Sequence, residues 1–277
     1  MLALLCSAAL GVSLLAGCSA PAPAPAETGS GALAGSVATN GSTSMEKVIG
    51  ALIEQFQTVE GGVTVTYDPT GSGTGIEAAS NGSADIGLAS RAMKDEEKAK
   101  GLAETVVAYD GIAIVVHPDN QVEDLSVEQI AAIAKGEIAN WADVGGADGP
   151  IAFIGREAGS GTRGAFEELT GTADACKYTQ ELTSTGAVVT AVSTTPGAIG
   201  YVSLSSVGEN VKALKVGGVA PSEATVLDGT YAVQRPFVFA TKTDAALSPA
   251  AQAFYDFATD PANAELYTAA GVVPAFR

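Results

Sequence analysis

The 277-residue sequence predicts an α/β fold, and three observations carry the prediction. Apolar, strand-like runs lead again and again into Gly/Ser/Thr loops, and helix-periodic stretches follow those loops. The loops fall at the carboxyl ends of the strands, where open α/β sheets bind ligands. The length and the 47% of hydrophobic residues suffice for two modest domains around real cores.

The first 32 residues stand apart from that pattern. The apolar run Met1 to Ala16 is too short to span a bilayer and ends in Leu15-Ala16-Gly17-Cys18. Small residues before a Cys at the end of such a run resemble a bacterial lipobox, which predicts a lipoprotein signal over residues 1–18 with Cys18 lipidated. An ordinary secretory signal with a chance Cys is the alternative. The usual basic opening is missing, so the true start is expected upstream of Met1. Residues 19–32, Pro/Ala-rich then Gly/Ser-rich, read as a tether that holds a domain off a membrane. Cys6 leaves with the signal and Cys18 takes lipid, so only Cys176 remains and no intramolecular disulfide is expected.

Charge narrows the function. A formal net charge of -17 argues against nucleic acid and anionic membrane surfaces, which are held mainly by clustered Lys and Arg. One His and one remaining Cys exclude metal sites built on His or Cys clusters, and no cofactor is implied.

In chain order, the strand Leu33 to Ala38 precedes Gly41-Ser42-Thr43-Ser44, and Thr43 with Glu46 has capping-box spacing. Val48, Ile49, Leu52, Ile53 and Phe56 then recur on one helical face. Ser44-x-x-Lys47 fits a serine acyl-enzyme motif, but the companion Ser-Asp-Asn and Lys-Thr-Gly motifs are absent. The alternating strand Val63 to Tyr67 runs into Gly71-Ser72-Gly73-Thr74-Gly75, and a short strand Asp85 to Ala89 ends in Ser90-Arg91. Val106 to Val116 reads as two buried strands broken at Asp110-Gly111. Ile151 to Ile154 leads into Gly155-Arg156-Glu157-Ala158-Gly159-Ser160-Gly161-Thr162-Arg163 and a helix start. There, loop and first-turn N–H groups, the helix dipole, two hydroxyls and two arginines favour a small anion. Any one such loop also reads as an ordinary capped turn. Three of them plus Ser90-Arg91 are better explained by convergence on one ligand.

In this order the motifs resemble those of the PstS family, the phosphate-binding lipoproteins of ABC importers, in its shorter Gram-positive form, from Leu33 to Arg277. The resemblance implies a two-lobe periplasmic-binding-protein-like fold of class II type, with mixed sheets and two crossover hinge strands. Lobe 1 would be residues 33–118 plus 234–277 and lobe 2 residues 119–233, with hinges near His117–Asn120 and Val233–Pro236. It also implies a monomer on the outer face of the cell membrane that binds inorganic phosphate, partners ABC permease subunits and makes or breaks no bond. Carried over residue by residue, it assigns Thr43, Ser44, Ser72, Ser90, Arg156, Ser160, Gly161 and Thr162 to the phosphate. Where longer members place an acid after the Ser of Ala89-Ser90, this sequence has Arg91. Asp110 is expected to replace that acid as acceptor of the phosphate proton, against the alternative of a turn residue bonded to its own loop. Arg91 and Arg163 are further site positions or braces. Other readings are a different oxyanion (sulfate, molybdate, tungstate), a phosphate-directed hydrolase built on His117, or a surface sensor or adhesin.

Overall fold

The computed structural model describes residues 33–276; Cys18, the tether and Arg277 lie outside the described residues. Strand β1 (Gly35–Gly41) passes through a 3-10 turn at Thr43–Met45 into α1 (Glu46–Val59). Strand β2 (Val63–Asp68) leads to α2 (Ser72–Asn81), and β3 (Ile86–Ala89) to the short α3 (Asp95–Lys98). Next come the long β4 (Leu102–Val116), β5 (Asp124–Leu125) and α4 (Val127–Ala134). Strand β6 (Ala152–Arg156) enters α5 (Gly161–Thr170), and β7 (Gln180–Leu182) enters α6 (Thr185–Thr194). Strands β8 (Ala198–Ser203), β9 (Lys212–Ala213) and β10 (Lys215–Val216) precede α7 (Glu223–Leu227). The chain closes with β11 (Gln234–Lys242), α8 (Pro249–Thr259), α9 (Ala264–Ala269) and β12 (Val273–Pro274).

Local chemistry accounts for the boundaries. Ser126 and Gln129 form a capping box at α4, Ser160 caps α5, and Ser248 caps α8 with Pro249 in the first turn. At the first helix the expected cap is displaced by one residue. Ser42, not Thr43, accepts the N–H of Ser44, which frees the Thr43 hydroxyl for tertiary contacts. Helix α1 buries Val48, Ile49, Leu52 and Phe56, the face that the periodicity marks.

The main sheet runs β2-β1-β3-β11-β4-β8-β6-β7. It is mixed: β1 pairs in parallel with β2 and β3, β6 pairs in parallel with β7 and β8, and β11 and β4 are the antiparallel members between. The expected break at Asp110-Gly111 does not occur, because β4 continues through both residues. Asp110 is opposite Arg235 in the β4–β11 register, and its carboxylate bonds that side chain, so a residue pair typical of turns is kept in the strand.

Beyond Gly111 the same strand changes partner. Residues 102–111 pair with β11, and Ile112 to Val116 pair with β8. The cores divide at the same place. Val37, Ile49, Leu52, Phe56, Phe237 and Phe254 pack in one, and Ile112, Ile114, Phe153, Phe166, Tyr201 and Val233 in another. The chain thus passes between the two halves at Asp110–Ile112 and at Val233–Arg235. Ile112, Ile114 and Val116 pack in the second core. Among the described residues no helix is long and apolar enough to cross a membrane.

Candidate functional site

Five strand ends converge where the two halves meet. From the first half come Thr43 and Ser44 after β1, Ser72 at the start of α2, and Ser90 after β3; all four are buried. From the second come Arg156 at the end of β6, Ser160 and Thr162 at the start of α5, and Thr185 at the start of α6, also buried. Ser44 Oγ meets Thr162 Oγ1 at 2.8 Å, and Thr43 Oγ1 meets Thr185 Oγ1 at 3.0 Å. Gly73 N–H donates to Gly159 C=O at 3.0 Å, a main-chain bond between two of the glycine loops. Gly161 passes so close to Ser72 and Ser90 that a Cβ there would lie 2.7 Å from Ser90 Oγ and nearer still to Ser72 Oγ. Only glycine lets the helix start approach these hydroxyls.

Arg156, 2% exposed, carries the main charge of the site. Its Nε and Nη2 donate to the carbonyls of Leu182 and Thr183 at 3.0 and 2.8 Å, which fixes the guanidinium. Nη1 donates to Thr43 Oγ1 at 3.0 Å and Thr185 Oγ1 at 3.2 Å. All these acceptors are neutral. Burial pushes the Arg156 guanidinium down to about 10, an effect that nearby Arg235 reinforces.

Arg235 is the second buried guanidinium, and it is balanced. Its Nε and Nη2 donate to Asp110 Oδ2 at 3.1 and 2.9 Å, while Nη1 donates to Thr162 Oγ1 at 2.8 Å and to Ser90 C=O at 3.0 Å. Asp110 Oδ1 accepts from Ser203 Oγ at 2.9 Å, and the Leu204 N–H adds a further donor. Four donors match the roughly four lone-pair sites of a carboxylate. Burial pushes the Asp110 carboxyl up, and Arg235 and Ser203 oppose it. Two guanidiniums and one carboxylate leave the cluster with one net positive charge when all are ionised.

Thr43, Ser44, Ser72, Ser90, Arg156, Ser160, Gly161 and Thr162 therefore come together at one place. Asp110 lies behind Arg235, and its acceptor capacity is taken up, unlike the open acceptor that the sequence suggested. Arg91 and Arg163 stand outside the cluster. Arg91 forks onto Glu97 with two bonds of 2.7 Å, and Arg163 pairs with Glu167 at 2.8 Å and Glu181 at 3.2 Å. His117 lies in a separate hollow with Asp119 and Trp141, remote from the serines, which leaves a Ser-His arrangement without its base. Among the described residues no group of three or more His, Cys, Asp or Glu could hold a metal ion.

Sequence reading passed over Thr185, Arg235 and Ser203. Thr185 had a usable cue, since Ser184-Thr185 precedes a helix as Ser42-Thr43 does. Arg235 had a weaker one, a lone charge inside the apolar run of β11. Ser203 had none.

Two core-bearing halves joined by a pair of crossing strands, with polar groups gathered between them, define the periplasmic-binding-protein class of fold. A family model described as a PBP superfamily domain matches residues 26–262. The phosphate-binding protein PstS of Bacillus subtilis is 34% identical, over 72% of this chain and 67% of its own. That of Staphylococcus saprophyticus is 32% identical, over 84% and 77%. A Clostridium perfringens substrate-binding protein solved with bound phosphate superposes with a TM-score of 0.84 at 38% identity, over 87% of this chain and 100% of that one. The chain belongs to the PBP superfamily and, within it, to the PstS family, a non-catalytic class of transport binding proteins.

Proposed function

We propose that this protein is an extracytoplasmic phosphate receptor, tethered through lipid on Cys18, that closes over inorganic phosphate and delivers it to the permease subunits of an ABC transporter. One observation carries the reading most directly: Arg156 is a buried guanidinium with only neutral acceptors. Glu157 offsets the burial of this charge only in part and is not bonded to it; a buried charge without a bonded counter-charge is costly, and an anion set against the guanidinium supplies one. The hydroxyls of Thr43, Ser44, Ser72, Ser90, Ser160 and Thr162, with N–H groups at the starts of α2 and α5, give directed donors for a tetrahedral oxyanion. Arg235 braces this set through its Nη1, which holds Thr162 Oγ1 and the Ser90 carbonyl, and Asp110 acts by holding Arg235. Closure is a hinge motion about Asp110–Ile112 and Val233–Arg235, where the chain passes between the halves.

Calorimetric titration of the domain from Gly31 onward, stripped of ligand by unfolding and refolding, tests the reading. The expected result is tight one-to-one phosphate binding that excess sulfate or molybdate does not displace. Arg156→Ala is expected to weaken it by roughly 1.5–3 kcal/mol, about tenfold to a hundredfold. Absence of phosphate binding, or preference for sulfate or molybdate, moves the function to another oxyanion; unchanged affinity in Arg156→Ala overturns the site.

A further inference from the structure

The main chain of Arg156 is gripped on both sides by a closed ring of side chains. Its N–H donates to Tyr201 Oη at 3.1 Å, and its C=O accepts from Arg163 Nη1 at 3.1 Å. Tyr201 Oη lies 3.0 Å from Tyr178 Oη, which itself donates to Glu167 Oε1 at 3.0 Å. The same Oε1 accepts from Arg163 Nε at 2.8 Å. These bonds fix the direction of the relay. The Tyr178 proton is committed to Glu167, so Tyr201 donates to Tyr178 and keeps a lone pair for the Arg156 N–H. Glu167 is where both arms of the ring end.

Packing stiffens the ring. Tyr201 stacks on Phe166 with centroids 4.2 Å apart, Tyr178 stacks on Phe153 at 4.9 Å, and the Arg163 guanidinium lies 4.7 Å from the Tyr178 ring centroid. Gly155 leaves the space that the Tyr178 ring occupies, since a Cβ there would run into it. Burial pushes both tyrosine hydroxyls well above their ordinary range, which keeps their protons in place for the relay. The side chains of the ring bond the Arg156 main chain and not the hydroxyls of the cluster; only the Arg163 N–H, in the first turn of α5, donates to Ser160 Oγ at 3.3 Å.

We propose that Glu167 is a positioning residue for anion binding, acting through Tyr178, Tyr201 and Arg163 to set the main chain from which the Arg156 guanidinium projects. A charged donor directed at a ligand must be placed within a fraction of an ångström, and its supporting shell determines that placement. Glu167 also sits on α5, whose first turn supplies Ser160 and Thr162, so the ring ties the strand bearing the charge to the helix bearing the hydroxyls.

The inference rests on Arg156 as a phosphate ligand, and the test separates the two. Glu167→Gln and Tyr201→Phe are compared with the parent domain by phosphate calorimetry, alone and combined with Arg156→Ala, and by hydrogen exchange at the Arg156 amide without phosphate. Each variant is expected to weaken phosphate about three- to tenfold alone. Added to Arg156→Ala, neither is expected to weaken it further, as two residues acting through one group require. Exchange at the Arg156 amide is expected to quicken in both. Equal losses with and without Arg156, or parental affinity with unchanged exchange, overturn the proposal. A parent domain that binds no phosphate overturns the ligand reading instead, while the exchange measurement still decides the ring.

Discussion

Two guanidiniums buried within one cluster are compensated differently. Arg156 has neutral acceptors only, whereas Arg235 is forked onto Asp110. That difference separates a residue available to a ligand from one whose charge is already balanced. Removing one partner of a buried ion pair costs roughly 3–5 kcal/mol, because it strands the other charge. Asp110→Asn is therefore expected to lower unfolding stability by about that amount without ligand, and phosphate is expected to restore part of it by replacing the lost counter-charge. Because the Asp110 carboxylate is filled by protein donors, affinities for phosphate and sulfate are expected to shift together. A loss confined to phosphate would show that Asp110 accepts the phosphate proton after all. The sequence singled out Arg156 because its glycine-rich loop is a local signal. It passed over Arg235 because the acceptor that makes an arginine tolerable in an apolar strand lies 125 residues away.

The strand–loop–helix unit is the element that builds the site, and it recurs with the hydroxyls on the loop and the N–H groups on the helix start. In α5 the unit depends on Gly161, where any side chain would displace Ser72 and Ser90. Gly161→Ala is expected to weaken phosphate at least tenfold. The loss in unfolding stability is expected to be smaller, about 1–3 kcal/mol, the usual cost of overpacking. Parental affinity in this variant would mean that the close approach of Gly161 to the serines is incidental. These units were legible because each is a local pattern: apolar run, small polar loop, periodic helix. Two features were not local and were missed. Strand β4 continues through Asp110-Gly111 only because Arg235 lies opposite, and Thr43 gives up the cap to Ser42 only because Thr185 and Arg156 take its hydroxyl.

On the scale of the whole molecule, an anion site sits in a protein of formal net charge -17. The cluster's single net positive charge acts at contact distance, while the surrounding field repels a phosphate still several ångströms outside. The two effects separate in kinetics. Long-range repulsion slows encounter and is screened by salt, since the Debye length falls from about 30 Å at 0.01 M to about 8 Å at 0.15 M. Dissociation is governed by buried hydrogen bonds that salt screens far less. Stopped-flow binding in potassium chloride is therefore expected to show an association rate constant that rises as salt increases over this range, with a dissociation rate constant that changes much less. This is the reverse of an electrostatically steered ligand. An association rate constant that falls with salt would place the governing field in the hollow where Arg91, Lys94 and Arg163 gather with Glu167 and Asp174 beside the Gly159–Ser160 loop, and not in the overall charge. Arg91 and Arg163 are each bonded to carboxylates at 2.7–2.8 Å, which cancels most of their reach beyond the pair. That leaves Lys94 as the least compensated of the three, its own contact with Glu96 being 3.7 Å long and exposed. One such lysine in water is too little to reverse the sign set by the molecule as a whole.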